Sequence, residues 1–394
     1  MPQTLITSPA EFDKLIRQLE KQPVICFDTE FISEGRFRPL LCLLQIAAGN
    51  KTALVDPLAL SIKPFWELIC SGQNEIVIHA CRSEMEFCLR DTGTFPSVFF
   101  DIQLASGFAG LEYPANLTSI IKHYLNVDIP KAESRTVWNK RPLTQRQIDY
   151  AVDDVLYLEQ CAAVLKKTLT DNGRIQWYYE EVEERNKILK ENLTTAQWRS
   201  IPKSGHLNQR ELAIVRELWL WRNSVAEKLN IPQYRVLRDD LIIELAMRNT
   251  SDRQRISSLR GLPRNASAQF VKDIAEVIQR GLDLPDSELP PLNRAMSYPQ
   301  YQHLTQLLFS IAGSISKKSG ISMQLAGSPG DIREYIAFEL GTLPKGIVPR
   351  FQTGWRAELF GSQLKDLLHG KTAIWLDRKK TDDPLVILPL AKPG

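Results

Sequence analysis

Hydrophobic residues follow two different spacings along the chain. Up to about residue 160, short apolar runs typical of strands alternate with segments whose apolar residues recur at helical intervals. The predicted strands are residues 24–31, 40–48, 52–56, 75–79 and 98–101, and the predicted helices are residues 9–21, 64–71 and 82–91. Gly49 and Asn50 between two apolar runs indicate a hairpin. This alternation is typical of an α/β domain, a mixed sheet flanked by helices.

Helical spacing dominates the rest of the chain. Residues 207–281 and 298–370 show almost no strand signal, whereas two late apolar runs, 373–376 and 385–388, are compatible with a terminal hairpin. The segments 202–205 and 285–291 are rich in turn-forming residues and read as linkers. We therefore predict three domains: an α/β domain over residues 1–204, and all-α helical bundles over residues 205–284 and 285–394.

Composition and charge limit the classes of protein to which the chain can belong. A chain of 394 residues exceeds the usual size of one domain. Residues 1–204 hold 23 Lys and Arg against 26 Asp and Glu, whereas the two later segments each hold 13 against 10, a pattern compatible with a nucleic-acid partner. The six cysteines form no CxxC pair, and no apolar run approaches a membrane span. We expect reduced thiols, no disulfide framework or zinc site, and a cytoplasmic protein without a membrane partner.

Two acids stand at the end of the first long apolar strand. Asp28 and Glu30 are two residues apart, so an extended chain points both side chains from the same face. Buried like charges repel each other unless a cation lies between them, and Mg²⁺ or Mn²⁺ prefers oxygen ligands of this kind. The alternative is a strand end whose acids face water.

A later helix offers partners for these acids. Thr144 and Gln147 form a capping-box pattern, and in the helix that follows, Tyr150 and Asp154 share one face. Carboxylates from a strand and a helix can bracket two cations that clamp the attacking and leaving oxygens of a phosphodiester. A tyrosine on the same face can orient the attacking water. The sequence contains no phosphate loop, Ser/His/Asp order or HExxH motif, which excludes the corresponding enzyme classes.

A cationic segment, residues 131–146, leads into this helix. It carries Lys131, Arg135, Lys140, Arg141 and Arg146, with Trp138 in its middle. Such a loop can neutralise phosphates and stack a base. The alternative is a solvated loop anchored to the core by its tryptophan.

Five motifs together resemble the ribonuclease D family of the DEDD 3′–5′ exonuclease superfamily. Phe27–Phe31 resembles motif I of the family, and Pro39–Ala47 resembles the strand that follows it. Ile78–Glu86 resembles motif II. Trp138–Leu143 resembles the loop before motif III, and Tyr150–Leu158 resembles motif III of the tyrosine subtype. Residues 218–237 resemble an HRDC domain, the helical module also found in RecQ-type helicases, and residues 354–361 resemble the part of the family that holds a second, HRDC-like domain. The resemblance therefore covers nearly the whole chain.

The resemblance implies an RNase H-like fold and removal of 3′-terminal nucleotides from RNA, tRNA precursors in particular, as nucleoside 5′-monophosphates. It implies two divalent metal ions, Mg²⁺ or Mn²⁺, in one site. The implied metal ligands are Asp28, Glu30, Glu84 and Asp154, with Tyr150 positioning the water. The implied contacts with a single-stranded RNA tail are Phe31, Gln45, His79, Trp138 and Arg141, although His79 and Gln45 also suit supporting roles.

Two positions depart from the family pattern. Glu84 stands where motif II normally has aspartate, which moves the carboxylate roughly 1.5 Å further from the backbone. Val137 stands where an aspartate commonly precedes the tryptophan. These departures keep a second hypothesis open, an RNA-binding protein with a weak or silent nuclease. A third hypothesis is a DNA 3′–5′ exonuclease.

Overall fold

The structure of the protein, a computed structural model, describes residues 5–96, 98–129, 136–194, 197–262, 267–292 and 298–390. These residues form two compact units. The first unit lies within residues 1–30, 42–186 and 298–394, and the second lies within residues 31–41 and 187–297. The chain thus returns to its first unit after completing the second.

A six-stranded mixed sheet forms the centre of the predicted α/β domain. Its strands are β1 (Leu5–Ile6), β2 (Val24–Ile32), β3 (Leu40–Ala48), β4 (Lys51–Val55), β5 (Glu75–Ile78) and β6 (Phe100–Asp101). They lie in the order β1-β4-β3-β2-β5-β6. The β3–β4 pair is antiparallel, as the Gly49-Asn50 turn predicts, whereas β2, β5 and β6 run parallel. The strand with Asp28 and Glu30 is therefore central in the sheet.

Among the described residues, eight helices belong to the same part of the chain as this sheet. They are α1 (Pro9–Leu19), α2 (Lys63–Cys70), α3 (Arg82–Thr92), α4 (Ile102–Phe108), α5 (Leu117–Leu125), α6 (Gln145–Leu156), α7 (Leu158–Asp171) and α8 (Ile175–Thr194). The predicted cap of α6 is confirmed, because the Thr144 side chain accepts a hydrogen bond from the first turn of the helix, and Ser8 caps α1 in the same way. Helix α2 packs Phe65 and Trp66 edge-on against Phe27 of β2, with ring centroids 5.2 and 5.8 Å away. This aromatic contact fixes the strand just before Asp28.

The second unit contains a helical bundle with its own core. Its helices are α9 (Gln209–Leu229), α10 (Gln233–Val236), α11 (Asp239–Arg248), α12 (Arg253–Ser257) and α13 (Ala268–Asp283). Asn208 and Glu211 form a capping box at the start of α9. The core is mainly aliphatic, with Leu218, Ile242 and Ile278 fully buried. The helical prediction for residues 207–281 is confirmed.

The last part of the first unit is again mainly helical. Its helices are α14 (Gln302–Lys318), α15 (Met323–Ala326), α16 (Pro329–Glu339), α17 (Gly354–Arg356) and α18 (Ser362–Leu368), with a π-helical turn at Ala357–Gly361 between the last two. The chain ends in a two-stranded hairpin of β7 (Thr372–Leu376) and β8 (Leu385–Pro389), which confirms the predicted hairpin.

The structure thus confirms a mixed α/β sheet domain accompanied by helical bundles. It groups residues from 298 onward with the sheet in one compact unit, whereas the predicted boundaries at 204 and 284 stay predictions. All six cysteines are free, as expected. Within the described ranges, no helix is both long and apolar enough to cross a membrane.

Candidate active site

Strand β2 brings Asp28 and Glu30 to one face, where both residues are half-buried. Burial and the charges of Glu84, Asp154 and Glu30 raise the pKa of Asp28 well above its ordinary value. Burial, Asp154 and Glu84 likewise raise the pKa of Glu30 to about 8. The charges of carboxylates on α3 and α6 therefore act on the pKa values of both acids. The convergence predicted for this strand is present in the structure.

Glu84 reaches this site from the first turn of α3. Its side chain is buried, and its Oε1 accepts a hydrogen bond of 2.6 Å from the hydroxyl of Thr29, the residue between Asp28 and Glu30. Burial raises the pKa of Glu84 to about 7, although the Thr29 hydrogen bond works in the opposite direction. The glutamate that replaces the family's aspartate is thus tied to the motif I strand.

Helix α6 supplies Tyr150 and Asp154. The capping box of Thr144 and Gln147 fixes the start of this helix, and the two site residues follow on one face, one turn apart. The Tyr150 hydroxyl hydrogen-bonds to Asp154, and burial raises the pKa of Asp154 to about 7. The proposed catalytic residues Asp28, Glu30, Glu84, Tyr150 and Asp154 therefore lie in one electrostatically coupled group.

The donors of this group suit a hard divalent cation. Asp154 Oδ2 is buried and has no hydrogen-bond partner among the described residues. The charges of Glu84 and Asp154 raise the pKa values of both Asp28 and Glu30, a repulsion that a bound cation would relieve. Within the described ranges, no group of three acidic, histidine or cysteine side chains is arranged so that it could hold a metal ion as it stands. The carboxylates would have to turn toward a cation as it binds.

Asp101 supports the site, although the sequence analysis assigned it no role. Its carboxylate accepts hydrogen bonds from the backbone N–H groups of Ala80 and Cys81, at 3.0 and 3.3 Å, and also caps α4. Ala80 has a φ of 60°, so the turn into α3 is held in a conformation that non-glycine residues rarely adopt. The local signal was an aspartate at a strand end that directly precedes a helix.

Two predicted RNA contacts have supporting positions instead. Trp138 is only 6% exposed and packs on Tyr150, with ring centroids 6.0 Å apart, which favours the core-anchoring alternative over base stacking. The His79 ring lies 3.1 Å from the Ala115 carbonyl through Nε2, where it links β5 to the loop before α5. Trp138 therefore borders Tyr150, whereas His79 connects two segments of the fold.

One further prediction, the RNA contact of Gln45, requires correction, whereas the contact of Arg141 stays a prediction. Gln45 is completely buried, and neither atom of its amide is hydrogen-bonded to any described residue, so it does not form part of an RNA-facing surface. The Arg141 guanidinium uses all five N–H groups on Asp56 and on the carbonyls of Cys42, Trp138 and Lys140. A phosphate contact by Arg141 would therefore break an existing hydrogen bond.

The remaining predicted contacts are only partly described. Phe31 follows Glu30 in β2 and is half-buried. Lys131 and Arg135 of the cationic segment lie outside the described residues. Val137, the second departure from the family pattern, is half-exposed beside the buried Trp138.

Known proteins share both the sequence and the fold of this chain. Residues 3–170 match the 3′–5′ exonuclease family, and residues 211–278 match the HRDC domain. The chain is 30% identical over 384 residues to ribonuclease D of Granulibacter bethesdensis, with 96% of this chain and 95% of that protein covered. It is 29% identical over 381 residues to ribonuclease D of Nitrobacter hamburgensis, at 95% and 97% coverage.

A solved structure agrees with these relatives. The crystal structure of Escherichia coli RNase D, an exoribonuclease involved in structured RNA processing, superposes with a TM-score of 0.81 at 27% identity. The match covers 94% of this chain and 99% of the other. Fold and site thus define a 3′–5′ exonuclease that also carries an HRDC domain.

The chain belongs to the ribonuclease D family. It is accordingly a 3′–5′ exoribonuclease whose substrate is nucleic acid and which depends on divalent metal ions. The family resemblance inferred from the motifs is confirmed.

Proposed function

We propose that the protein trims single-stranded 3′ ends of RNA, tRNA precursors among them, and releases nucleoside 5′-monophosphates with two Mg²⁺ or Mn²⁺ ions. The convergence of four carboxylates from β2, α3 and α6, that of Glu84 buried and the other three half-buried, supports this proposal most strongly. Relatives that cover nearly the whole chain are ribonucleases D, and this favours RNA over DNA.

Asp28, Glu30, Glu84 and Asp154 would hold the ions through their carboxylate oxygens. When bound, the ions would offset the negative charge that develops on the phosphate and make the attacking water more acidic. Asp154 Oδ2 is available for this because it has no hydrogen-bond partner among the described residues. The raised pKa values of the acids mean that binding is accompanied by loss of protons from the site.

Tyr150 would orient the attacking water without removing its proton. Burial and the neighbouring carboxylates raise the pKa of its hydroxyl above the ordinary range, so the group stays protonated at neutral pH. A protonated hydroxyl donates a hydrogen bond and also accepts one, which suits positioning rather than base catalysis. Trp138 packs against the Tyr150 ring and restricts its movement.

The proposal is tested with Asp28→Asn, which keeps the shape of the side chain and removes its charge. Release of mononucleotides from a tRNA precursor with a single-stranded 3′ tail should fall at least about 100-fold, because one ligand of the site is lost. The assay compares Mg²⁺, Mn²⁺ and EDTA, and it includes a matched DNA 3′ end. Asp13→Asn, an equivalent change on the exposed surface of α1, is the control and should leave the rate unchanged.

Three results would contradict the proposal. Full activity in EDTA excludes the metal mechanism, and full activity of Asp28→Asn excludes this site. Faster cleavage of the matched DNA excludes RNA as the preferred substrate, since only RNA presents the terminal 2′-hydroxyl.

A further inference from the structure

Asp56 lies directly after strand β4 and is buried, although it belongs to none of the five family-like motifs. Its two carboxylate oxygens accept hydrogen bonds from Nε and Nη2 of Arg141, each at 2.6 Å. We propose that Asp56 is a positioning residue that acts through Arg141 and Trp138 to hold Tyr150 in place for the reaction. This inference rests on the proposed function, because it concerns how the tyrosine of the same site is oriented.

The carboxylate of Asp56 is a rigid anchor. Two parallel hydrogen bonds between a carboxylate and a guanidinium fix the orientation of the two planar groups as well as their distance. The side chain of Asp56 is only 5% exposed and that of Arg141 25%, so water competes weakly for these bonds. Asp56 Oδ1 also accepts a hydrogen bond from the backbone N–H of Leu58, at 3.0 Å, which ties the carboxylate to its own turn.

Arg141 connects this anchor to the loop before α6. Its guanidinium donates to the Cys42 carbonyl of β3, at 2.7 Å. It also donates to the carbonyls of Trp138 and Lys140, at 2.8 and 2.9 Å. The loop is thus folded around its own arginine, and the arginine is held by β3 and by the residue after β4. The backbone of Trp138 is thereby fixed relative to the sheet.

Trp138 passes this restraint to the candidate site. Its ring lies 6.0 Å from the ring of Tyr150, at an angle of 35°. The Tyr150 ring is therefore restrained by Trp138, and its hydroxyl is hydrogen-bonded to Asp154. Loss of the Asp56 charge should release Arg141, let Trp138 shift and widen the range of positions of the Tyr150 hydroxyl. A displacement of about 1 Å in a group that acts on the reacting atoms costs up to about 100-fold in rate.

A double-mutant cycle on the full-length protein tests this chain of contacts. The parameters kcat and KM for a tRNA precursor with a single-stranded 3′ tail are measured with Mg²⁺ for the wild type, Asp56→Asn, Tyr150→Phe and the double variant. Asp56→Asn should lower kcat roughly 10- to 100-fold and change KM by less than about twofold, because it misplaces a group that acts in the transition state. In the Tyr150→Phe background, which already lacks the hydroxyl, the same change should lower kcat by less than about threefold.

A matched control and a second variant separate positioning from folding. Glu339→Gln removes the charge of an acid whose side chain is also 5% exposed and which pairs with His369, and it should leave kcat and KM unchanged. Arg141→Lys keeps the positive charge but cannot reach Asp56 and three carbonyls at once, so it should lower kcat as Asp56→Asn does. It replaces Asp56→Asn in the cycle if the asparagine variant does not fold.

A spectroscopic measurement follows the proposed contacts without activity. In protein labelled with 5-fluorotryptophan, the ¹⁹F resonance of Trp138 is assigned by its loss in Trp138→Phe. Asp56→Asn should shift or broaden this resonance and leave the other tryptophan resonances unchanged.

The results distinguish this inference from the proposed function. Equal losses of kcat in the two backgrounds would overturn the inference, as would an unchanged Trp138 resonance or a change confined to KM. In each of these cases, low kcat of Tyr150→Phe and of Asp28→Asn would keep the proposed function in place. Full activity of Tyr150→Phe would overturn the proposed role of the tyrosine and this inference together.

Discussion

Two helical regions of the molecule are built on the same local plan. In each, a long helix is followed by a four-residue helix and then a third helix: α9, α10 and α11 in one, α14, α15 and α16 in the other. The long helix is followed by a residue in the left-handed region, Asn230 with φ 48° or Gly320 with φ 58°. The next isoleucine, Ile231 or Ile321, then donates its N–H back to the helix at 3.0 Å.

The regions differ in what their buried arginines contact. In the second unit, Arg222 donates to the Leu237 carbonyl and pairs with Asp239, whose side chain is 48% exposed. In the first unit, Arg356 pairs with Glu181 of α8 at 2.8 Å, and these side chains are only 3% and 1% exposed. Burial works to raise the pKa of Glu181, but Arg356 and Arg185 hold it below its ordinary value.

A buried ion pair therefore attaches the α14–α18 region to α8. Trp355 adds to the attachment, since its ring lies 5.0 Å from that of Phe108 and its indole N–H donates to Glu181. The same order of helices thus forms a bundle with its own core in the second unit. In the first unit, it forms helices that are grouped with the sheet carrying the candidate site. The comparison teaches that helix order alone does not decide whether such a module is separate.

The largest expected effect comes from Arg356→Met. The change leaves the buried Glu181 with Arg185 as its nearest cation and removes the donors to the carbonyls of Leu325 and Ala326. We expect the free energy of unfolding of the first unit to fall by about 3 kcal/mol, the lower end for breaking a buried pair. Denaturant unfolding of the full chain measures this, and RNA cleavage should be lost at a lower denaturant concentration. A change confined to the second unit would contradict this prediction.

The next effect concerns pH. The pKa of Glu30 is about 8 in the folded protein, above the ordinary 4.5 of an unfolded chain, so the folded state binds more protons between these values. The stability of the metal-free first unit should therefore fall as pH rises through this window, by about 2 kcal/mol between pH 6 and pH 8 from Glu30 alone. Calorimetry of the metal-free chain at both pH values measures the loss.

Two controls sharpen the pH prediction. Glu30→Gln should reduce the dependence without abolishing it, because Glu84 and Asp154 still titrate in this window. Saturating Mg²⁺ should oppose the dependence, because the cation favours the charged acids. The second unit carries none of the four acids, so its unfolding transition is the internal reference. A first unit that grows more stable between pH 6 and pH 8 without metal would contradict the assignment.

The smallest expected effect comes from Arg222→Met. Its partner Asp239 is half-exposed and can return to water, so the main loss is the hydrogen bond to the buried Leu237 carbonyl. We expect a loss of about 1 kcal/mol in the second unit. The same denaturant experiment as for Arg356→Met provides the measurement. A loss equal to that of Arg356→Met would show that burial of the partner does not distinguish the two arginines.

Much of the fold and part of the site could be predicted from local pattern. Periodicity located β2 and α6, and the capping box of Thr144 and Gln147 located the start of α6. Residues within one element, such as Tyr150 and Asp154, share a face for reasons of backbone geometry alone. These predictions hold because helix and strand periods do not depend on distant parts of the chain.

The contacts of single side chains could not be predicted in this way. The sequence predicts that Gln45 lies in a strand, but it does not show that both faces of this strand are covered. The Gln45 amide is completely buried as a result. Arg141 belongs to a cationic stretch, yet Asp56, 85 positions away, takes two of its N–H groups. Such pairs depend on the packing of elements that are remote in sequence.

The sequence by itself determined which chemistry this protein carries: an Asp-x-Glu strand, a helix with tyrosine and aspartate one turn apart, and their order along the chain. Only the tertiary structure decided that Glu84 is held by Thr29, that Asp101 fixes the turn before it, and that Arg356 joins the last helices to α8. The physical reason is that local periods depend on neighbouring residues, whereas buried polar groups must find partners wherever the fold brings them.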